Sequence, residues 1–511
     1  MAYFNNNVPD RNHSQEIGMN SVAALVAWND NPHLPQTLSS LRKCPNVKSL
    51  AAAVPAGIPL PPIDIHGIPV SGFWSRQALG QIFKWLDGTG SGFLLVVSGP
   101  EIPVLNPDGL RRMMTVMRDT DAAIVYGDYY IEAPDAPLRL RQTVDYQPGS
   151  IRDTFNFGPI LLMNGKYLPP VRRDIETSST GYAFGALYDL RLRLSECGPV
   201  ERLPEPLCRC FSGTATDTGS HFAYVDPRNR AYQVEMETVA TAHLERIKAL
   251  IEPPQPKQPA DDGEFPVRAS VIIPVKNRVR TIGDAVQSAL SQETAFPFNV
   301  MVIDNHSTDG TTDLLGGIAS DDPRLLHLIP ERTDLLIGGC WNEAVYSAHC
   351  GMFAVQLDSD DLYDGTGVLR RIIAEFDRHP CALVIGSYTT VNFDLDPLPP
   401  GCIDHREWTD ANGPNNALRI AGLGAPRAYH VPTLRQFGFP NVSYGEDYAA
   451  VLRLSRSYPV GRIYDSLYWC RRWDENSDSK LAPETANRYD HYKDRLRSLE
   501  IAARIRREEC R

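Results

Sequence analysis

Residues Phe353 to Asp361 read FAVQLDSDD, an apolar strand running directly into Asp358, Ser359, Asp360 and Asp361. Carboxylates crowded at a strand end repel one another and require a compensating positive charge. A divalent cation held by hard oxygen ligands meets that need, and Mg²⁺ or Mn²⁺ so held would grip a phosphate group of a substrate. Asp and Ser also favour acidic turns and helix N-termini, so this cluster alone leaves both readings open.

Two further strand ends carry polar residues. Ser270 to Val275 reads SVIIPV and leads into Lys276-Asn277-Arg278; Ile282, Val286, Ala289 and Leu290 then fall at helix spacing. The apolar run Val300 to Ile303 ends in Asp304-Asn305, followed by HSTDGT at 306–311. Strand, helix, strand and polar loop predict a βαβ unit, whose ligands sit beyond the carboxyl ends of its strands. Downstream, Tyr444-Gly445-Glu446-Asp447-Tyr448 precedes a helical pattern with Val451, Leu452 and Leu454.

In this order IPVKN, IDNHSTDGT, LDSDD and GEDY resemble the four motifs of the family-2 glycosyltransferases, over residues 269–480. The resemblance implies the GT-A nucleotide-sugar-binding fold, with Asp360 and Asp358 as ligands of Mn²⁺ or Mg²⁺. It implies nucleotide-sugar contacts from Pro274, Asn277, Asp304, Asn305, Asp358 and Ser359; Arg471, a further candidate for that site, and Arg472 either face the diphosphate in place of the family's His or cover the surface. Asp447, with Glu446 beside it, matches the family's catalytic base; the same pair also suits an ordinary helix start. Asp309 reads as a cap of the following helix. The chain departs from the family at Asn305, where a second Asp is frequent, at Trp341-Asn342 in place of Arg-Asn, and at Trp473 in place of a His. Arg472-Trp473 resembles the end of the QxxRW motif of processive membrane synthases. Trp469 replaces its Gln and no membrane helix follows, which rejects that class.

The elements that position these residues must come from a chain of 511 residues, long enough for two domains. With 62 acidic against 51 basic residues its net charge is −11, which argues against a nucleic-acid partner. No apolar run approaches the roughly 20 residues that span a bilayer, and the first residues show no signal-peptide pattern. Ten scattered cysteines without a CxxC pair, Cys208-x-Cys210 being the closest spacing, predict free thiols in a reducing cytoplasm.

The chain contains the same design twice. FLLVVSGPE at 93–101 aligns with FAVQLDSDD at an offset of 260, and Leu192 to Ser195 repeats Leu452 to Ser455 at the same offset. Gly109 to Met114 parallels Gly367 to Ile372, and Ser21 to Val26 resembles Ser270 to Val275. The expected organisation is α/β: two tandem GT-A-like, Rossmann-like domains with mostly parallel sheets, plus a C-terminal helical tail. Its bounds are a polar segment 1–19, a first domain 20–250, a Pro-rich linker 251–268, a catalytic domain 269–480 and an amphipathic helix 481–511. Tyr489, Tyr492, Leu496, Leu499 and Ile505 are the expected apolar side of that helix. Opposite Asp358-Ser359-Asp360 the first copy has Ser98-Gly99-Pro100, and opposite Glu446-Asp447 it has Ala186-Leu187, so it is expected to be a non-catalytic copy.

The leading expectation is a metal-dependent inverting glycosyltransferase of the hexosyl or N-acetylhexosaminyl class. It would move a sugar from a nucleotide donor, UDP-linked as the first choice, to a hydroxyl of a glycan, lipid-linked or small-molecule acceptor. The alternative is a catalytically silent nucleotide- or carbohydrate-binding protein on the same fold. A nucleotidyltransferase needs a Gly-rich basic loop, which neither IPVKNRVR nor VAWNDNPH supplies.

Overall fold

The computed structural model describes residues 20–29, 31, 33–59, 65–99, 101–133, 136–177, 181–211, 229–257, 259–260, 263–473 and 481–509. The segment 1–19 and Pro100 lie outside the described residues. The chain divides into two compact units: residues 1–219, 234–247 and 483–491, and residues 220–233, 248–482 and 492–511.

The first unit holds β1 (Val22–Ala27), β2 (Val47–Pro55), β3 (His66–Val70), β4 (Phe93–Val97), β5 (Ile102–Leu105), β6 (Ile124–Glu132), β7 (Arg139–Arg141), β8 (Ile160–Asn164) and β9 (Val200–Phe211). Their order in the sheet is β3-β2-β1-β4-β8-β6-β9-β5, with β7 beside β6. The second unit holds β10 (Ala269–Val275), β11 (Phe298–Asp304), β12 (Leu325–Leu328), β13 (Phe353–Gln356), β14 (Leu362–Tyr363), β15 (Leu383–Val391), β16 (Pro397–Ile403), β17 (Arg427–His430) and β18 (Val460–Arg471). Their order is β12-β11-β10-β13-β17-β15-β18-β14, with β16 beside β15. Strand for strand the two sheets are the same, so the repeat in the sequence is a repeat of topology. The sheets are mixed: β12, β11, β10 and β13 run parallel, whereas β17 is antiparallel to both its neighbours and β14 is antiparallel to β18.

Each parallel core is apolar on both faces, as strands covered by helices must be. In the second unit Val271, Ile273, Val300, Val302 and Val355 pack with Ile282, Val286 and Ala289 of the helix Ile282–Leu290. Val368, Leu369, Ile372, Ile373 and Phe376, at helix spacing, form the buried apolar stripe of the helix Val368–Arg378 against the same core. Pro274 is tolerated in a central strand because of where β13 stops. Ile272 accepts the Leu357 N–H at 3.2 Å, and Pro274, two residues on, faces that neighbour beyond its last strand residue.

The C-terminal helix Pro483–Glu509 forms, but the face it buries differs from the expected one. Among residues 492–509 the buried positions are Lys493, Asp494, Arg497, Ser498, Glu500, Ile501 and Arg504, while Leu499 is exposed. Charge pairing explains this burial. Arg497 pairs with Asp494 at 2.8 Å and donates to the Tyr448 hydroxyl at 3.0 Å, and Arg504 pairs with Glu500 at 2.8 Å. Buried ions are tolerated when every donor finds such a partner.

Candidate functional site

Parallel register brings three polar strand ends to one edge of the second sheet. Val275 pairs with Asp304, and Ile272 pairs with Gln356, which places Asn277, Asp304-Asn305 and Asp358 beyond neighbouring strands. This is the edge at which open α/β sheets bind ligands.

At the end of β11, Asp304 is fully buried and committed. Its Oδ1 accepts the Ser307 N–H at 3.0 Å; its Oδ2 accepts the Thr312 hydroxyl at 2.6 Å and faces His327 Nε2 at 3.2 Å. Burial alone would raise its pKa, yet these hydrogen bonds hold it below the usual carboxylate range. Asn305 donates from Nδ2 to the Leu335 carbonyl at 2.9 Å, while its buried Oδ1 has no hydrogen-bond partner. Asn277, at φ 54°, sits in the left-handed region that Asn tolerates. Its backbone N–H donates to Ser307 Oγ at 2.9 Å and its side-chain Oδ1 accepts the Thr308 N–H at 2.8 Å. Asn277 therefore knits two loops together. Asp309 accepts from Thr311 N at 3.0 Å and Val279 N at 3.0 Å; the residue at the cap position itself is Gly310.

The acidic turn after β13 is built from several elements. Asp361 donates its N–H to the Asp358 carbonyl at 3.2 Å. Gln356 Nε2 donates to both Asp358 oxygens at 3.0 and 3.2 Å, and the Tyr468 hydroxyl accepts the Asp358 N–H at 3.0 Å. Partial desolvation and the Asp360 charge raise the Asp358 carboxyl, against the pull of Gln356 and Arg427. Asp361 is buried and is pushed well above the ordinary range by desolvation and by the charges of Asp360 and Asp358. Its Oδ1 accepts the Arg471 N–H at 2.8 Å. Ser359 lies half-buried within the turn.

Arg471, at the end of β18, is buried; it pairs with Asp284 at 2.9 Å and donates from Nε to the Asp360 carbonyl. It thus braces the turn against the helix Ile282–Leu290. Trp473 donates from Nε1 to Asp360 Oδ2 at 3.2 Å, a bond that its position in the sequence did not foretell. Trp341, in contrast, is core: it packs on Tyr429 and Phe439 with ring centroids 5.9 and 5.3 Å apart. Asn342 clasps the Phe439 backbone through both its amide atoms at 2.8 Å.

Glu446 and Asp447 are the first two residues of the helix Glu446–Ser455, entered through Gly445 at φ 86°. Burial and the neighbouring Asp447 push the Glu446 carboxyl up to about 8. Asp447 Oδ1 accepts the Tyr448 N–H at 2.6 Å, and Oδ2 pairs with Arg427 Nη2 at 2.9 Å. Arg427 lies outside the four motifs; the sequence offers it, with Trp408 and Tyr429, only as a candidate acceptor contact, not as the partner of Asp447. Its backbone N–H donates to Gln356 Oε1 at 3.2 Å, and its Nη1 donates to the carbonyls of Leu423 and Gly424. Burial opposes its charge, but Asp447, Tyr429, Asp358 and Glu446 raise its pKa further. A chain Asp358–Gln356–Arg427–Asp447 therefore links the acidic turn to the helix start.

The first unit has none of this chain. Register sets Val96 in the place of Gln356, Leu161 in that of Arg427 and Ser98 in that of Asp358. Ala186 and Leu187 begin the helix Ala186–Cys197 as Glu446 and Asp447 begin theirs. Cys208 and Cys210 are free, buried thiols with sulfurs 3.9 Å apart.

Comparison with known proteins bears on the second unit. The family model described as glycosyl transferase family 2 matches residues 270–415. That stretch contains Pro274, Asn277, Asp304, Asn305, Asp358, Ser359 and Asp360 and ends before Arg427, Glu446, Asp447 and Arg471. The uncharacterized protein Rv1520 of Mycobacterium tuberculosis is 29% identical over 104 residues, 20% of this chain and 30% of that protein. The chain thus spans under a third of the length of the curated relatives it matches. Among solved structures, Staphylococcus aureus TarS 1-349 in complex with UDP-GlcNAc is 21% identical, covering 46% of this chain and 66% of that one, with a TM-score of 0.36. The mannosyltransferase PcManGT of Pyrobaculum calidifontis, in complex with GDP-Man and Mn²⁺, is 16% identical, covering 56% and 86%, with a TM-score of 0.31. Two α/β units with the same strand order make up the described chain, and residues 270–415 of the second match the family model described as glycosyl transferase family 2.

Proposed function

We propose that the second unit transfers a sugar from a nucleotide-sugar donor to an acceptor hydroxyl, with inversion at the anomeric carbon and with the help of a divalent cation. The observation that carries this reading is the linkage of the acidic turn to Asp447 through Gln356 and Arg427, at the ligand-binding edge of a family-2 domain. Asp358 and Asp360 offer the hard oxygens that Mg²⁺ or Mn²⁺ prefers, and such ions are commonly held by one or two carboxylates together with substrate phosphates. The raised Asp358 carboxyl fits that role, because a site in which carboxylates crowd one another gains from a bound cation. When bound, the cation would neutralise charge growing on the departing diphosphate.

In this proposal Asp304 shapes the nucleoside end, since both its oxygens are engaged, and Pro274 and Asn277 set the facing loop. Asn305 Oδ1, buried and without a partner among the described residues, offers the donor an acceptor there. Asp447 takes the acceptor's proton, oriented by Arg427; each of its oxygens keeps a lone pair beyond the one already used. Glu446, mostly protonated at neutral pH, donates a hydrogen bond to the bound sugar rather than acting as a base. Arg471 and Trp473 hold the turn in shape. A UDP-linked hexose or N-acetylhexosamine is the proposed donor, and a glycan, lipid-linked or small-molecule hydroxyl the acceptor. A cytoplasmic location belongs to the proposal, supported by the nine described cysteines being free; no helix among the described residues is long and apolar enough to cross a membrane. The first unit serves as a non-catalytic partner domain.

The test is a panel of UDP- and GDP-sugars incubated with purified protein and Mn²⁺, read as nucleotide release. Slow metal-dependent hydrolysis of one donor supports the reading; no binding of any nucleotide sugar contradicts it.

A further inference from the structure

A stack of side chains stands beside the acidic turn, where β15 and β18 end. Val391 pairs with Arg471 across these strands, and the Arg472 N–H donates to the Val391 carbonyl at 2.8 Å. Parallel register therefore sets Phe393 beside Trp473, each two residues beyond a paired end. Their rings meet edge to face, with centroids 5.4 Å apart. Arg280 lies between the end of β10 and the helix Ile282–Leu290. Its guanidinium rests over both rings, 4.9 Å from the Phe393 centroid and 5.3 Å from that of Trp473.

Arg280 is exposed and has no hydrogen-bond or ion-pair partner among the described residues. The other arginine on the same stack is engaged. Arg471 packs on Phe393 at 5.0 Å, pairs with Asp284 at 2.9 Å and donates to the Asp360 carbonyl. The acids closest to Arg280 in the chain are engaged too, Asp284 by Arg471 and Asp309 by the Val279 and Thr311 N–H groups.

Stacking on an aromatic ring uses the flat face of a guanidinium and leaves the N–H donors at its edge available. Two rings thus fix the plane of Arg280 while its donors stay open, which suits bidentate recognition of a phosphate. Holding the side chain beforehand also removes part of the ordering cost that a ligand would otherwise meet. Trp473 relates this group to the acidic turn: its ring carries Arg280, and its Nε1 donates to Asp360 Oδ2 at 3.2 Å. One indole therefore holds a cationic group and a carboxylate of the proposed cation site, and the two do not pair with each other.

We propose that Arg280 binds the diphosphate of the nucleotide-sugar donor, a role that Arg471, consumed inside the turn, does not fill. The assignment rests on the sugar-transfer reading of the second unit. Asp360 acts on the diphosphate through the cation, whereas Arg280 meets its oxygens directly.

The test is calorimetric titration of the full-length protein with UDP in the presence of Mn²⁺, and with uridine as a competitor. The unaltered chain is compared with Arg280→Met and Arg280→Lys. Methionine keeps an apolar stem against both rings but carries no charge, and lysine keeps the charge without the planar fork. Arg280→Met should weaken UDP by about tenfold or more, the scale of a hydrogen bond to a charged group, and leave uridine unchanged. Arg280→Lys should fall between the other two. Unchanged UDP affinity in Arg280→Met would overturn the assignment, because packing against the rings would then be the whole role of Arg280. Equal losses for UDP and uridine, or Arg280→Lys no better than Arg280→Met, would overturn it as well. Binding of neither UDP nor GDP by the unaltered protein would remove the sugar-transfer reading and the assignment together, which separates the two failures.

Discussion

Arg427 Nη2 lies 2.9 Å from Asp447 Oδ2, while the backbone N–H of the same arginine is bound to Gln356, whose amide holds Asp358. One residue thus ties the acidic turn to the proposed base. Replacing Arg427 by Ala should lower sugar transfer by roughly 10²-fold, as for loss of a positioned base. It should also cost about 1.5–3 kcal/mol of stability, because charged hydrogen bonds are lost beside carboxylates. Thermal unfolding and initial rates measure the two effects; transfer at the normal rate would show that Asp447 needs no such orientation.

Asp447→Asn retains size and most hydrogen bonding but cannot take a proton. Donor binding should persist and transfer should fall by roughly 10²-fold or more. Near-normal transfer with any competent acceptor would place the base elsewhere.

Glu446 gives a prediction about pH. Its carboxyl is raised from an ordinary 4.5 to about 8, so between those values the folded protein holds a proton that the unfolded chain has released. The stability Glu446 contributes is fully present below about pH 4.5 and is lost as pH rises through about 8. Melting temperature measured from pH 5 to 9 should therefore fall more steeply for the unaltered protein than for Glu446→Gln. Parallel curves would contradict the assignment. Asp361 is shifted in the same direction and is common to both proteins, so the comparison isolates Glu446.

Much of this arrangement was legible in the sequence because strand ends are local features. An apolar run followed by Asp358, or by Asp304, fixes both the strand and the edge at which its polar residues emerge. The repeated strand order was equally legible, since Leu94, Leu95 and Val96 echo Ala354, Val355 and Gln356 within one short alignment. The links across the sheet were not. Gln356 reads as one polar residue in an apolar strand, and its partner Arg427 is 71 positions away. Trp341 looked like a lost donor contact and is a core residue, because an aromatic side chain fits between Tyr429 and Phe439. The C-terminal helix misled for a related reason: apolar spacing pointed to Leu499, whereas paired ions such as Arg497 and Asp494 are what it buries.

The first unit should contribute no second nucleotide site. Val96, Ser98, Leu161 and Leu187 replace every member of the polar chain; the three apolar side chains offer a cation no oxygen, and Ser98 offers only a neutral hydroxyl. Calorimetric titration of the full-length protein with UDP and Mn²⁺ should give one site per chain; two sites would contradict this division of labour.

The most direct test of the central claim is calorimetric binding of UDP, with and without Mn²⁺, to the unaltered protein and to Asp360→Ala. Trp473 and Arg471 hold Asp360 from its side chain and its carbonyl, and the carbonyl bond survives the substitution, so the turn should keep its fold. The account predicts Mn²⁺-dependent binding that disappears in Asp360→Ala while melting temperature changes little. Unchanged metal-dependent affinity in the folded variant would remove Asp360 from the site and contradict the proposed reaction.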